Sequence, residues 1–219
     1  MNSSQLNPET QADLAQRALN LLDAGEVVRF HAVPTVSGQT VGHHSFGVAT
    51  ILIALGMMVD PEDRWVVSNA ILHDAAELVT GDMPFTVKRS SPELKAHMDR
   101  MELQADMDHF LPQTRLSHRQ ETLLKLADML EGLRWCLVGH ERGKHTVADR
   151  WATAIVNLLI EKHQLLKEGE GERVWTLLRG CVDLCHDSQY DLATPIYSTL
   201  ARQLQSHAMF NQPISANVK

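Results

Sequence analysis

Cysteine, aromatic residues and positive charge are all scarce in this chain of 219 residues. Its 3 cysteines are an odd number without the spacing of a disulfide framework, so we expect a reducing, cytoplasmic location. A net charge of −7 repels nucleic acid backbones, which argues against a nucleic acid polymer as partner. The apolar run Val48–Val59 is too short to span a bilayer, and the first residues lack the apolar centre of a secretion signal, so we expect no membrane partner.

Hydrophobic residues make up 44% of the chain, which is enough for one domain with a substantial core. Apolar residues recur at helical spacing in one segment after another, and no segment of convincing length alternates as a strand does. The predicted helices are one that stops at Gly25, then Thr40 to about Gly56, about Asp60–Leu78, Ser91 to about Phe110, about Arg119–Val138, about Val147–Leu166, Glu172–His186 and Thr194–Met209. The predicted loops are Val27–Thr40, Thr80–Pro84 and Lys167–Gly171. This pattern predicts an all-α fold.

Four potential metal ligands are spread along these predicted helices, namely His44, the adjacent pair His73 and Asp74, and Asp128. Two imidazoles and two carboxylates suit Mn, Fe, Co or Zn, and four protein ligands leave positions open for water and substrate. The pair follows the apolar turn Ala70–Leu72, so it is expected to be buried, where an aspartate is costly unless it is paired or metal-bound. A metal site between facing helices would bring the ligands together.

Two further acids follow the His73–Asp74 pair. Glu77 shares its predicted helical face and is placed to orient or deprotonate an attacking water, or to protonate a leaving oxygen. Asp82 lies in the next predicted turn. The alternatives are an exposed acid at a helix end for Glu77, and a turn residue selected by backbone geometry for Asp82.

Several motifs in fixed order carry a family resemblance. They are Arg29-Phe30-His31, Val41-Gly42-His43-His44-Ser45, Leu72-His73-Asp74-Ala75-Ala76-Glu77, Thr80-Gly81-Asp82-Met83-Pro84 with Val87-Lys88, and Lys125-Leu126-Ala127-Asp128. Together they resemble the HD-domain superfamily, and within it the branch of bacterial 5′-deoxynucleotidases and phage deoxynucleotide phosphohydrolases. The resemblance implies a single HD-domain helical bundle over residues 1–219 with its motif core at 29–130. Helices over 147–210 would then pack on that core or form a dimer surface.

The resemblance also implies a role for each motif residue. The four ligands would hold one divalent ion (Co, Mn, Zn or Mg), Glu77 would position or activate the attacking water, and Arg29 would hold the phosphate. Asp82 would contact the deoxyribose 3′-hydroxyl, and Lys88 is a further candidate for phosphate contact.

Two positions depart from the pattern of the branch. Phe30 stands where the branch usually has a tryptophan that crowds the sugar 2′ position, so discrimination against ribonucleotides is in question. His43 stands where the branch favours glutamate before the first metal histidine, which alters a contact next to the ligands.

The implied reaction is hydrolysis of the 5′ phosphoester bond of a deoxynucleotide. A monophosphate would give a deoxynucleoside and phosphate, and a triphosphate such as dATP would give a deoxynucleoside and triphosphate. The ligands alone do not separate these cases, although Lys88 and Arg89 offer charge for additional phosphates. The resemblance implies a homodimer or higher homo-oligomer in the bacterial cytoplasm, or in the host cytoplasm for a phage-encoded enzyme.

Other functions stay open at this stage. HD proteins with two metals, such as di-iron oxygenases and cyclic-nucleotide phosphodiesterases, take two extra histidines from the interval that here holds His97, His109 and His118, and His97 and His118 could serve. A non-catalytic HD module that binds nucleotide or protein is a third possibility. A zinc site at Cys181, Cys185 and His186 lacks a fourth ligand, and helical spacing explains the two cysteines as one buried face.

Overall fold

The computed structural model describes residues 8–29, 38–83, 91–110, 113–136 and 146–186. Its helices are α1 (Pro8–Ala24), α2 (Val41–Ala54), α3 (Arg64–Leu72), α4 (Glu77–Thr80), α5 (Pro92–His109), α6 (His118–Trp135), α7 (Thr146–Lys162), a 3-10 turn at His163–Leu165 and α8 (Glu170–His186). Two short strands, β1 (Val28–Arg29) and β2 (Gln39–Thr40), pair in antiparallel fashion. The predicted all-α class is confirmed. The predicted loop over Val27–Thr40 is corrected at its two ends, which form the strand pair.

Helix α6 is the centre of the bundle, with α2, α3, α7 and α8 packed around it. It begins with a capping box in which the Ser117 hydroxyl accepts from the backbone of Gln120, and the Gln120 side chain accepts from the backbone of Ser117. The core along α6 is built from side chains that solvent does not reach, including Leu123, Leu126, Leu130, Leu133, Leu52, Val66 and Ile155. Burial of this kind stabilises the bundle by about 25 cal/mol per Å² of apolar surface.

Predicted helix starts at Thr40 and Ser91 are confirmed, because each side chain caps the first turn that follows it. The Thr40 hydroxyl accepts from the backbone N–H of His43 at 3.3 Å, and the Ser91 hydroxyl accepts from Leu94 at 3.2 Å. The Thr40 cap fixes the start of α2 and therefore the position of His44 within it.

The single helix predicted over about Asp60–Leu78 is wrong, because α3 ends at Leu72 and α4 begins only at Glu77. Between them the chain turns more tightly, with backbone bonds from Ala75 to Leu72 and from Glu77 to Asp74. Ala75 is buried against Ala24 of α1 and Phe110, the residue that follows α5, so packing from distant parts of the chain holds this turn in place. Periodicity within one segment carries no information about such packing.

The strand pair places two polar side chains on one buried face. Arg29 and Gln39 are direct partners across the two strands, and they are 8% and 1% exposed. Cross-strand partners lie on the same side of a sheet, so both side chains point inward.

Near the C-terminal end of the described chain, the predicted solvated loop Lys167–Gly171 needs correction. Glu170 already belongs to α8 and is 1% exposed, because its carboxylate accepts a hydrogen bond of 2.7 Å from Arg119. Trp151, Ile155 and Leu159 of α7 lie in the main core.

None of the helices in the described ranges has the length and apolar character that crossing a bilayer requires. Phe30, Lys88, Arg89 and the predicted helix Thr194–Met209 lie outside the described residues.

Candidate metal and phosphate site

The four predicted ligands come from three elements and meet at one point. His44 lies in α2, Asp128 in α6, and His73 and Asp74 in the turn after α3. Candidate ligand atoms of His44, His73 and Asp128 all lie within 4.8 Å of one another. The Asp74 carboxylate approaches both rings, with Oδ2 at 3.6 Å from Nε2 of His44 and 3.4 Å from Nε2 of His73.

The two histidines present the same ring nitrogen to this cluster. Nδ1 of His73 lies 2.8 Å from the Ala70 carbonyl, and Nδ1 of His44 lies 2.6 Å from Glu131. Each Nε2 is buried and, among the described residues, has no hydrogen-bond partner. Buried polar atoms are rarely left in this state. Two such nitrogens beside two carboxylates are the donor set of a divalent metal, so the residues present fit one.

Positive neighbours keep both carboxylates ionised. Burial raises the pKa of Asp128, but Lys125, with Nζ at 2.5 Å from Oδ2, and the adjacent His44 and His73 bring it well below its ordinary value. Burial also raises the pKa of Asp74, but the charges of His73, Arg29 and His44 have the larger effect. The pKa of Asp74 is therefore below its ordinary value. Both groups are therefore available as anionic ligands near neutral pH.

The pKa of His44 moves in the opposite direction. Burial and the Arg29 guanidinium lower it, but the neighbouring carboxylates of Asp128 and Glu131 outweigh them and raise the pKa of His44 to about 9. In the metal-free protein this ring is therefore held as a cation by the carboxylates around it. A metal that takes Nε2 has to displace a proton.

Arg29 lies beside the metal cluster, with Nη1 at 3.7 Å from Oδ2 of Asp74. Burial lowers the pKa of its guanidinium, but the charges of Asp74, Asp128, Glu77 and Asp82 raise the pKa above its ordinary value. Glu77, at the start of α4, and Asp82, just after it, are therefore near enough to Arg29 for their charges to act on it. Glu77 is 7% exposed, so it is not the exposed helix-end acid of the alternative interpretation.

Gly81 separates these two acids and closes α4. Its φ of 72° lies in the left-handed region that glycine adopts without strain, and its N–H donates to the Glu77 carbonyl. The turn predicted to begin at Thr80 is therefore present as far as the structure describes it, through Met83.

The structure adds contacts for Lys125, which the sequence analysis named in a motif without a role, and for Glu131 and Gln39, which it did not name. Lys125 ion-pairs with Asp128 from the preceding turn of α6. Glu131 accepts from His44, and Gln39 donates to Glu131 at 2.9 and 3.0 Å. The only sequence signal for Glu131 was an acid three positions after Asp128 in an otherwise leucine-rich helix.

The histidines proposed for a second metal do not join this cluster. His97 is exposed on α5, and the side chain of His118 is 89% exposed and pairs with Glu121. His109, at the end of α5, is exposed too. The group of ligands found among the described residues contains none of the three.

A helical bundle that brings these two histidines and two aspartates together beside Arg29 matches what the sequence resemblance to HD-domain phosphohydrolases implied. A solved structure of this class, the cyanophage S-2L HD phosphohydrolase bound to dA and one catalytic Zn²⁺ ion, has a similar fold, with a TM-score of 0.61 and 20% sequence identity. The similarity covers 75% of this chain and 96% of that one. A family model for 5′-deoxynucleotidases of the YfbR-like kind matches residues 20–161, and the chain belongs to this family.

Curated relatives are bacterial and distant. A 5′-deoxynucleotidase of Vibrio vulnificus is 25% identical over 142 residues, which cover 56% of this chain and 73% of the relative. One from Pasteurella multocida is 26% identical over 125 residues, covering 48% of this chain and 64% of that protein. One from Vibrio cholerae is 24% identical over 145 residues, covering 56% and 74%.

Proposed function

We propose that this protein is a divalent-metal-dependent 5′-deoxynucleotidase that hydrolyses deoxynucleoside monophosphates to deoxynucleosides and phosphate. Its family and its similarity to an HD phosphohydrolase support a hydrolase of deoxynucleotide phosphoester bonds. The observation that carries the proposal is the cluster of His44, His73, Asp74 and Asp128 with Arg29 at its edge. Monophosphate is proposed as the substrate because the family and the curated relatives are 5′-deoxynucleotidases.

The metal would be held by Nε2 of both histidines and by the carboxylates of Asp74 and Asp128. When bound, a divalent ion supplies positive charge that withdraws electrons from a phosphate oxygen and so makes the phosphorus easier to attack. Its identity is proposed as Co, Mn, Zn or Mg, since the donors suit several of these ions.

The protein's own residues supply the remaining steps. The Arg29 guanidinium would grip the phosphate with two parallel hydrogen bonds, and its raised pKa keeps it charged throughout. A water molecule would attack the phosphorus while Glu77 accepts its proton, the bond from phosphorus to the 5′ oxygen would break, and the leaving oxygen would take that proton from Glu77. The burial of Glu77 and the effect of its charge on Arg29 support this assignment.

Three further assignments rest on the family motif. Asp82 would bind the 3′-hydroxyl of the deoxyribose, Phe30 would crowd the 2′ position, and Lys88 would contact the phosphate. The half-buried position of Asp82 within the field of Arg29 supports the first of these.

We further infer a cytoplasmic homo-oligomer, a homodimer or larger, that acts on free nucleotides and needs neither a nucleic acid polymer nor a membrane. The net charge of −7 supports the absence of a nucleic acid partner, and the homo-oligomer and its location rest on the family resemblance. Sedimentation of the purified protein measures the oligomeric state, and a monomer at micromolar concentration would contradict it.

Product analysis tests the proposed reaction. Metal-stripped protein is resupplied with Co²⁺ or Mn²⁺ and incubated with dAMP, dATP and AMP in parallel. Free phosphate from dAMP is the expected result, and its absence from the AMP reaction would mean that Phe30 still excludes ribose. Intact triphosphate released from dATP alone would replace the monophosphate by a triphosphate substrate. No turnover of any of the three would contradict the proposal.

A further inference from the structure

Glu131 is a buried carboxylate that the proposed reaction does not use. It lies in the middle of α6, is 3% exposed, and faces α2 and β2. Its Oε2 atom lies 2.6 Å from Nδ1 of His44, and the Gln39 side chain donates to both of its oxygens at 2.9 and 3.0 Å. A buried carboxylate with three such contacts to two other elements is fixed in position.

Packing leaves this carboxylate little freedom to move. A Cβ atom placed on Gly47 of α2 would lie 2.5 Å from Cγ of Glu131, which is closer than side chains approach one another. Glycine at this position therefore allows α6 to bring Glu131 against the histidine of the neighbouring helix. His43, where related enzymes favour glutamate, is exposed and does not take this role.

The contact determines which nitrogen of His44 faces the cluster. A carboxylate at Nδ1 requires a proton there, which leaves Nε2 as the nitrogen able to bind a metal. That Nε2 lies 3.2 Å from Oδ1 of Asp128 and 3.6 Å from Oδ2 of Asp74. Glu131 itself contacts the opposite edge of the ring, so it acts through His44 and is not a ligand.

We propose that Glu131, held by Gln39, is a positioning residue that fixes the ring orientation and tautomer of His44 for metal binding. Gln39 is suited to this role because its amide donates to both carboxylate oxygens while the strand pair keeps its side chain buried. The inference rests on the metal site of the proposed function and extends it by two residues that lie behind the ligands.

The test compares Co²⁺ binding in the intact protein with binding in Glu131→Gln and in the exchanged double variant Gln39→Glu with Glu131→Gln. The single variant places an amide opposite another amide, and we expect the Co²⁺ affinity to fall about 10- to 100-fold. The exchange restores an amide–carboxylate bond between positions 39 and 131 but leaves an amide facing His44. Its thermal midpoint without metal should therefore recover while the Co²⁺ affinity stays low.

A second test displaces the Glu131 carboxylate without removing it, and it uses one variant and a control. Gly47→Ala pushes against Glu131, whereas Gly132→Ala, the control, introduces a milder contact with Trp151, at 3.2 Å, one residue further along α6 than Glu131. We expect only Gly47→Ala to weaken Co²⁺ binding and to change the visible absorption spectrum of the bound ion, which reports the ligand geometry.

The outcomes are separable. If the exchanged double variant recovers both stability and Co²⁺ affinity, or if Glu131→Gln lowers stability but leaves affinity and spectrum unchanged, Glu131 is a structural contact and the inference is overturned. If the unmodified protein binds no Co²⁺, the metal site of the proposed function fails, and the role of Glu131 fails with it.

Discussion

At the scale of single residues, His73 offers the sharpest test of the ligand set. It lies in the turn after α3, with Nδ1 satisfied by the Ala70 carbonyl and Nε2 directed at the cluster. We expect His73→Ala to abolish both Co²⁺ binding and hydrolysis, because a ligand is removed and no neighbour replaces it. A chromophoric chelator in competition measures the binding. His97→Ala, at an exposed position on α5, is the matched control, and full activity in His73→Ala would rule out the assigned site.

Replacement of Glu77 is expected to lower the rate of hydrolysis and to leave metal binding intact. Glu77→Gln keeps the size of the side chain but removes the proton acceptor, so we expect kcat to fall about 10²- to 10⁴-fold. Co²⁺ affinity and KM should change little. Glu121→Gln, which alters an exposed carboxylate on α6, is the control. Loss of metal from the Glu77 variant would instead make Glu77 a ligand.

At the scale of secondary-structure elements, the sequence predicted the helices that local chemistry specifies. The starts of α2 and α5 were predictable, because Thr40 and Ser91 are residue types that cap a helix with their own side chains. The break between α3 and α4 was not, because it is held by Phe110 and Ala24 from distant parts of the chain. The strand pair was missed because two residues per strand are too few for an alternating pattern.

Three helix starts are joined by one arginine. Arg119 of α6 donates to Asp63, which precedes α3, and to Glu170 at the start of α8. The two acceptor side chains are 4% and 2% exposed, so Arg119→Met would leave two buried carboxylates short of a partner. We expect a loss of about 3–5 kcal/mol in the free energy of unfolding. Urea denaturation measures it against Arg100→Met, an exposed arginine on α5, and equal losses in both variants would contradict this account.

Helix α5 carries a carboxylate that the fold disfavours at neutral pH. Burial, with the charges of Glu102 and Asp74, raises the pKa of Asp106 to about 6, above the unfolded value of about 3.9. A raised pKa means that the fold prefers the protonated form. The contribution of Asp106 to the stability of the fold is therefore complete below pH 4, and it is lost as the pH rises through 6.

The variant Asp106→Asn imitates the protonated form at every pH. The metal-free variant should therefore be more stable than the unmodified protein at pH 8, and the difference should shrink as the pH falls through 6 towards 4. Thermal unfolding across this range measures it, with Asp99→Asn, an exposed position on the same helix, as the control. A difference that does not vary with pH would contradict the assignment.

At the scale of the whole molecule, the sequence predicted which side chain types form the site but not how they are supported. The motifs contain the four predicted ligands, Arg29 and Glu77, and the fold brings these residues near one another. Gln39 and Glu131 are 92 positions apart, and only packing of β2 against α6 makes them neighbours. Contacts between residues so far apart in the chain produce no local sequence pattern, so they could not be predicted from the sequence.

The central claim is that one divalent ion in this cluster is required for hydrolysis. The direct measurement is phosphate release from dAMP by chelator-stripped protein as Co²⁺ is added in known ratio to the chain. We expect no release without metal and a rate that rises linearly until one ion is present per chain, then stays constant. Full activity without added metal, or a break at two ions per chain, would contradict the account.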